Sequence, residues 1–310
     1  ININRGECGD CGTCPFGCRA GSKQSSLRLH LNEAAAAGAR LLPDCRADRL
    51  LIEDGIVRGA RVTVGTRAGK PREMEIVAKT VVVSGGALRT PLLLQQSDIH
   101  HPAVGQNLRL HPVSLVAGAF PDRIAMWQGT MQAAKSEQFI EATADRNGYI
   151  IESAPGHPGL LALGIPWTSR PEHERLMALA PNIAPLLAIV KDDGGGTVSR
   201  SKGGFPQIDY RTTARDERGL RHALGSLAQI AEAAGASEVI AAGSPPISWR
   251  RDPWGRVRST SRPAATDPRK GIVKGLYVAD TSLFPTAIGV NPMVTVLALA
   301  KRVARTILAD

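Results

Sequence analysis

Three groups of residues in this 310-residue chain have the types and spacing to do chemistry. Cys8, Cys11, Cys14 and Cys18 follow the spacing C-x2-C-x2-C-x3-C on a glycine-rich stretch, with which four thiolates can wrap an iron–sulfur cluster. Pro15 follows the third cysteine, not the fourth, where the cluster-binding pattern would have it. A disulfide-linked loop and cysteines buried as small apolar groups are the competing readings. The second group is Ser84-Gly85-Gly86-Ala87, directly after Val81-Val82-Val83. A strand, a glycine turn and a helix start can cradle an anion, and the same residues also make a tight structural turn. The third is Asn291-Pro292, a preferred N-cap followed by proline at the first helical position. The free amides and positive dipole end of that helix suit a developing negative charge.

The elements that must position these residues are legible to different degrees. Leu27, Leu31 and Ala34 fall on one face of a helix expected over 25–37, with Gly38 as its stop. Strand-like segments follow at 40–42, 48–53, 57–65 and 73–78, and Asp54-Gly55 is a hairpin signal between two of them. The run at 79–84 is β-branched on both faces, as in a buried parallel strand, and a helix is expected over 90–96. Between 112 and 248 the chain is rich in Gly, Pro and Ala. Its alternating stretches at 147–153 and 160–165 read as strands, and Gly194-Gly195-Gly196 as the start of a loop. A helix over 216–234 carries the stripe Leu220, Leu224, Leu227, Ile230, Ala231 and Ala234, ended by Gly235. Near the end, 275–279 reads as a short apolar strand closed by Asp280-Thr281-Ser282. The helix after Asn291-Pro292 is expected to bury Val294, Leu297, Ala300, Val303, Ala304 and Ile307.

Composition narrows the classes. With 43% hydrophobic and 21% charged residues the chain can build a core, which excludes wholesale disorder. It has no apolar run of the ~18 residues that a membrane span needs, while peripheral contact with a membrane surface stays open. The net charge of +10 raises nucleic acid as a partner, but 4% aromatics are too few for a stacking platform. Between Trp249 and Lys274 eight basic residues face two acidic ones. That stretch reads as a solvated loop or, in the minor reading, a phosphate-binding arm. The opening Ile1-Asn2-Ile3-Asn4 has neither Met nor leader and reads as cut from a longer chain.

Three separated motifs carry a family resemblance. Gly275-Leu276-Tyr277-Val278-Ala279-Asp280-Thr281-Ser282-Leu283-Phe284-Pro285-Thr286, through Gly289-Val290-Asn291-Pro292-Met293, resembles the C-terminal signature of glucose–methanol–choline (GMC) oxidoreductases. Its wording is closest to the long-chain alcohol oxidase and cholesterol-oxidase-like branch. Cys11-Gly12 through Cys18, followed by Gly21-Ser22-Lys23-Gln24-Ser25, resembles that branch's central segment. So do Val82 to Leu88, Thr90-Pro91, Val104 to Leu108 and His111-Pro112.

The resemblance implies an α/β (α+β) fold. An incomplete Rossmann-type FAD-binding domain, over 1–111 and 272–310, would join a substrate domain with a mixed or antiparallel sheet and helices over 112–271. It implies FAD as cofactor and oxidation of a small-molecule alcohol to an aldehyde or ketone, with oxygen, a quinone or a cytochrome as electron acceptor. By position, Gly85 and Gly86 would approach the FAD phosphate or ribose, and the Ala47 backbone would meet adenine. Asp280 would bond the ribityl or pyrophosphate, and Asn291, Pro292 and Met293 would lie at the isoalloxazine ring. Asn291 would also be one half of a catalytic His–Asn pair. The resemblance favours a non-metal reading of the cysteines; an iron–sulfur electron-transfer subunit using Cys8 to Cys18 is the alternative function. Two departures stand out: G-x-G-x-x-G is absent, and no histidine lies beyond His222. Where the family's His segment is expected, Ser259-Thr260-Ser261-Arg262 stands in the basic stretch. The chain is therefore expected to bind FAD weakly or not at all by itself.

Overall fold

The computed structural model describes residues 5–65, 69–130, 132–154, 156–242, 248–249 and 273–309. Most of the basic stretch and the Ser259–Arg262 segment lie outside them. In chain order the elements run α1 (Asn32–Ala36), β1 (Cys45–Glu53), β2 (Ile56–Val64), β3 (Arg72–Val77), β4 (Val81–Val83) and α2 (Gly86–Gln96). Then come β5 (Val113–Ala119), β6 (Lys135–Ser136), β7 (Tyr149–Ser153), α3 (Pro158–Gly164), α4 (Arg170–Ala178) and β8 (Ile183–Val190). The last are β9 (Gly195–Arg200), β10 (Pro206–Arg211), α5 (Ala214–Ala233), β11 (Glu238–Ala242), β12 (Ser248–Trp249), β13 (Leu276–Val278) and α6 (Met293–Ala309). Two compact units group these elements: one of residues 1–41, 112–190 and 214–246, the other of 42–111, 191–213 and 247–310. Residues 1–41 thus group with the segment that follows Pro112, and 191–213 group with the segment that precedes it.

The first unit is built on an antiparallel sheet in the order β11-β5-β8-β7-β6. Strand alternation sends Val116, Tyr149, Ile151, Ala188 and Val190 to one face, where Leu220, Ala223, Leu227 and Ala231 of α5 pack. Ala117, Ala119, Ile183 and Ile240 face the other way, onto Leu161, Ile165, Leu176 and Ala180. Because both faces are covered, the central strands lose the apolar–polar alternation of a half-exposed sheet. Residues 160–165 are not a strand: Pro158–Gly164 is a helix whose cap is the His157 side chain, accepting from the Gly159 amide. The buried stripe of α5 also runs through Gly219, Leu220, Ala223, Ser226, Leu227 and Ala231, leaving Ile230 exposed.

The second unit holds three small sheets. β1-β2-β3 is an antiparallel meander. Its first turn is Asp54-Gly55, both with positive φ (50° and 72°), the conformation a type I′ hairpin requires. β9 and β10 form a hairpin extended by β12. Gly194-Gly195-Gly196 therefore leads straight into a strand. β4 and β13 pair in parallel, with Val81 opposite Leu276 and Val83 opposite Val278. Helix α2 joins these parts. It begins at Gly86, four residues before the expected start, and shares one apolar cluster with Leu50, Val57 and Val83 and another with Leu108, Val198 and Tyr210. Residues 40–42, expected as strand, are not in one.

Candidate flavin and substrate sites

The parallel pairing of β4 and β13 brings their C-terminal ends side by side, the end at which open α/β sheets bind ligands. Ser84-Gly85 follows one strand and Asp280 the other. Asp280 is 7% exposed. Its Oδ2 accepts from the Gly86 amide (2.8 Å) and the Thr90 hydroxyl (2.6 Å), and its Oδ1 accepts from the Ser282 amide (2.7 Å). The Gly85 amide donates to Thr90 Oγ1 at 3.0 Å. Gly85, Gly86 and Asp280 are thus brought together, with both glycine amides already engaged inside the chain. The carboxylate also neutralises the positive end of α2.

Beside this junction a cavity of about 1000 Å³ opens between β1, β4, α2 and the tip of the β9–β10 hairpin. Ala47 and Gly85 both line it, with Arg46, Asp48, Arg89, Arg200 and Phe205. It is at the upper end of the ~300–1,000 Å³ usual for small-molecule clefts. The walls are firmly held. Leu50 donates to Ser97 Oγ at the end of α2 (2.8 Å), and Gln95 Nε2 donates to the Val198 carbonyl (3.1 Å). The buried Asp192 carboxylate takes the Tyr210 hydroxyl at 2.7 Å and the Leu110 amide at 3.0 Å.

Asn291, Pro292 and Met293 lie at the start of α6, where the Val296 amide donates to the Pro292 carbonyl (2.9 Å). Asn291 and Met293 are exposed. The loop before them is anchored by His111, a buried residue whose Nε2 accepts from the Gly289 amide at 3.2 Å. The expected burial of α6 is not found: no residue of the helix is buried, and Val294 is 72% exposed. The apolar stripe is present in the sequence, but nothing among the described residues encloses it.

The cysteine run forms a tight loop in the first unit. All five cysteines are free. A hydrogen bond from Thr13 holds the exposed Cys11 thiol below its ordinary range, and one from Ser22 does the same for Cys18. Cys14 is buried. Among the described residues no group of three or more His, Cys, Asp and Glu side chains could hold a metal ion. A separate cavity of about 180 Å³ in this unit is lined by Leu115, Ala117, Met126, Leu160, Leu161, Ile165, Leu187 and Ile240, with no charged side chain on its wall. Among the described residues no helix is long and apolar enough to cross a membrane.

Reasoning from sequence missed several of these contributors. Thr90 was detectable as a hydroxyl one helical turn past the glycine pair. Arg200 and Phe205 gave no signal, because the spacing of a hairpin tip does not show what it faces.

Comparison with known proteins agrees with this architecture. A family model described as GMC oxidoreductase matches residues 1–113, and a second of the same description matches residues 195–300. An uncharacterized GMC-type oxidoreductase of Mycobacterium tuberculosis is 33% identical over 98% of this chain and 51% of its own length. A long-chain-alcohol oxidase of Arabidopsis thaliana is 30% identical over 96% of this chain and 47% of its own. The chain therefore spans about half the length of these relatives. The crystal structure of pyridoxine 4-oxidase from Mesorbium loti shares the fold, with a TM-score of 0.65 at 19% identity over 94% of this chain and 63% of that one. With both family models matched in order and the fold shared, the chain belongs to the GMC oxidoreductase family.

Proposed function

We propose that this chain takes part in an FAD-dependent oxidation of an alcohol to an aldehyde or ketone. The observation that carries the reading is the convergence of Gly85, Gly86 and Asp280 at the ends of β4 and β13, beside a cavity that Ala47 also lines. In this reading the cavity would receive the adenosine end of the flavin. A carboxylate offers about four acceptor positions, and three on Asp280 are taken, which leaves one for a ribityl hydroxyl. FAD supplies the hydride acceptor for the alcohol carbon. The chain's own contribution there is the start of α6. Asn291 would hold the substrate oxygen, while Pro292 and Met293 would border the ring, and the helix dipole would favour negative charge beside it. The long-chain-alcohol oxidases among the relatives support an aliphatic alcohol as the substrate class.

The test is anaerobic reduction of FAD, supplied in large excess so that weak binding does not limit, by a panel of aliphatic, sugar and quaternary-amine alcohols. Aliphatic alcohols are expected to bleach the flavin, and Asn291→Ala to slow bleaching about 100-fold, as for loss of an oxyanion-stabilising donor. Bleaching by none of the alcohols would refute the proposal.

A further inference from the structure

We infer that Cys11 and Cys18 are a reversible thiol–disulfide pair, closed by hydrogen peroxide into an intrachain bridge across the cysteine loop. The inference does not rest on the flavin reading, since the pair and its surroundings belong to the first unit.

The geometry starts from the loop. Cys8, Cys11, Cys14 and Cys18 all line one cavity of about 120 Å³, which Asp10, Arg19 and Lys23 also border. Two turns fold the run back on itself. The Phe16 and Gly17 amides donate to the Thr13 carbonyl (2.9 and 3.1 Å), and the Gly21 amide donates to the Cys18 carbonyl (3.0 Å). Cys11 and Cys18 thus stand on either side of the first turn, both on the cavity wall. Each flank is anchored separately. The Gly129 amide donates to the Asp10 carbonyl (2.8 Å) and the Thr130 hydroxyl to Asp10 Oδ1 (3.0 Å). On the other flank, Lys23 Nζ donates to the Cys14 carbonyl (2.8 Å).

The four thiols have different surroundings, and the differences select the pair. Cys8 Sγ donates to the Asp10 carboxylate at 3.7 Å, and Cys14 is only 7% exposed. Cys11 is exposed, with Thr13 Oγ1 3.1 Å from its sulfur. Cys18 Sγ accepts from the Lys23 amide at 3.4 Å and has Ser22 Oγ at the same distance. These hydroxyl and amide groups hold both thiols below their ordinary range. The charge of Cys18 pushes the other way at Cys11, which places the two sulfurs within electrostatic reach. Arg19 and Lys23 against Asp10 leave the cavity net positive, the setting in which a cysteine reacts as its thiolate.

The exposed Cys11 thiolate attacks one peroxide oxygen. The O–O bond breaks, hydroxide leaves, and Cys11 becomes a sulfenic acid. The Cys18 thiolate then attacks the Cys11 sulfur, so that the S–O bond breaks, the S–S bond forms and a second hydroxide departs. The sulfurs give up an electron pair, and the thiol protons convert both hydroxides to water.

Mass spectrometry of the full chain, reduced and then treated with hydrogen peroxide, tests the inference. The intact mass should fall by about 2 Da, and dithiothreitol should restore it. Peptide mapping should place the link between Cys11 and Cys18. Cys11→Ser and Cys18→Ser should each slow the mass change at least about tenfold, and Cys18→Ser should accumulate a sulfenic acid at Cys11 that dimedone traps. Cys8→Ser and Cys45→Ser should oxidise within about twofold of the wild type. Thr13→Val leaves every thiol in place and should move the pH profile of the reaction upward. A link between any other pair, or the same mixture of links that the urea-unfolded chain gives, overturns the assignment. Irreversible oxidation of Cys11 without a link overturns it as well.

Discussion

Replacing Asp280 by alanine should destabilise the second unit in the absence of any flavin. The carboxylate accepts from two backbone amides and one hydroxyl, and these donors belong to segments about 190 residues apart in sequence. Thr90 can turn its hydroxyl elsewhere, whereas the Gly86 and Ser282 amides cannot. A buried donor left unpaired costs about 1–3 kcal/mol. Ser282 is fully buried and takes the full penalty, while Gly86 is half-buried and can be partly hydrated. A total of about 3 kcal/mol follows, or a melting temperature lower by roughly 6–12 °C. Asp280→Asn keeps one acceptor oxygen but loses the charge, which roughly halves each bond, so it should fall between wild type and alanine. Thermal and urea unfolding of the flavin-free chain measure both variants. Adding Thr90→Val to each closes a double-mutant cycle, in which a coupling of about 0.5–3 kcal/mol is expected for residues in direct contact. A flavin-free Asp280→Ala protein that melts with the wild type would refute the structural role and leave only a ligand-binding one.

Three further expectations are open to direct measurement. Leu227→Ala should cost about 3 kcal/mol, because the side chain is fully buried between α5 and the sheet; Leu297→Ala, on the uncovered α6, should cost less than about 1 kcal/mol by equilibrium unfolding. Thiol labelling should modify the exposed Cys11, held toward its thiolate by Thr13, before the buried Cys14, and Gly12→Ala, whose Cβ would collide with the Trp127 carbonyl, should speed labelling of Cys14. Burial, with the nearby Arg146 charge, holds His222 below the ordinary imidazole range. The folded chain therefore binds that proton less readily than the unfolded one, so stability is intact above the unfolded value near 6.5 and declines as the pH is lowered beneath it. His222→Gln should flatten that decline in unfolding titrations.

What could be read from sequence divides along a physical line. Local signals worked where one residue type forces one conformation. Asp54-Gly55 made its hairpin, Val81–Val83 its parallel strand, and Gly235 the end of a helix near its expected place. Signals that depend on a partner surface did not transfer. The apolar stripe of α6 is strong, yet no residue of that helix is buried, because periodicity records the capacity to pack and says nothing of what is packed against. In α5 the stripe keeps Leu220, Leu227 and Ala231, gains Gly219, Ala223 and Ser226, and leaves Ile230 and Ala234 exposed, since close approach to a sheet favours small side chains. At 160–165 a short apolar run fits helix and strand alike, and the His157 cap that decides it is not among the usual N-cap residues.

The two helix starts of the second unit look equivalent in sequence, and the structure makes them chemically opposite. Each follows a loop rich in glycine or proline, and neither carries an acidic residue in its own first turn. Read from propensity alone, either could receive an anion. Asp280 comes to α2 from the end of β13, so its field and first amides are used up by a group distant in sequence. At α6 the residues before the helix are Asn291 and Pro292, one neutral and one without an amide hydrogen. Under the proposed function, charge developing on a flavin ring would be served by the start of α6. The contrast between the two helix starts follows from one buried carboxylate, and it is why the loss of Asp280 should be felt in folding.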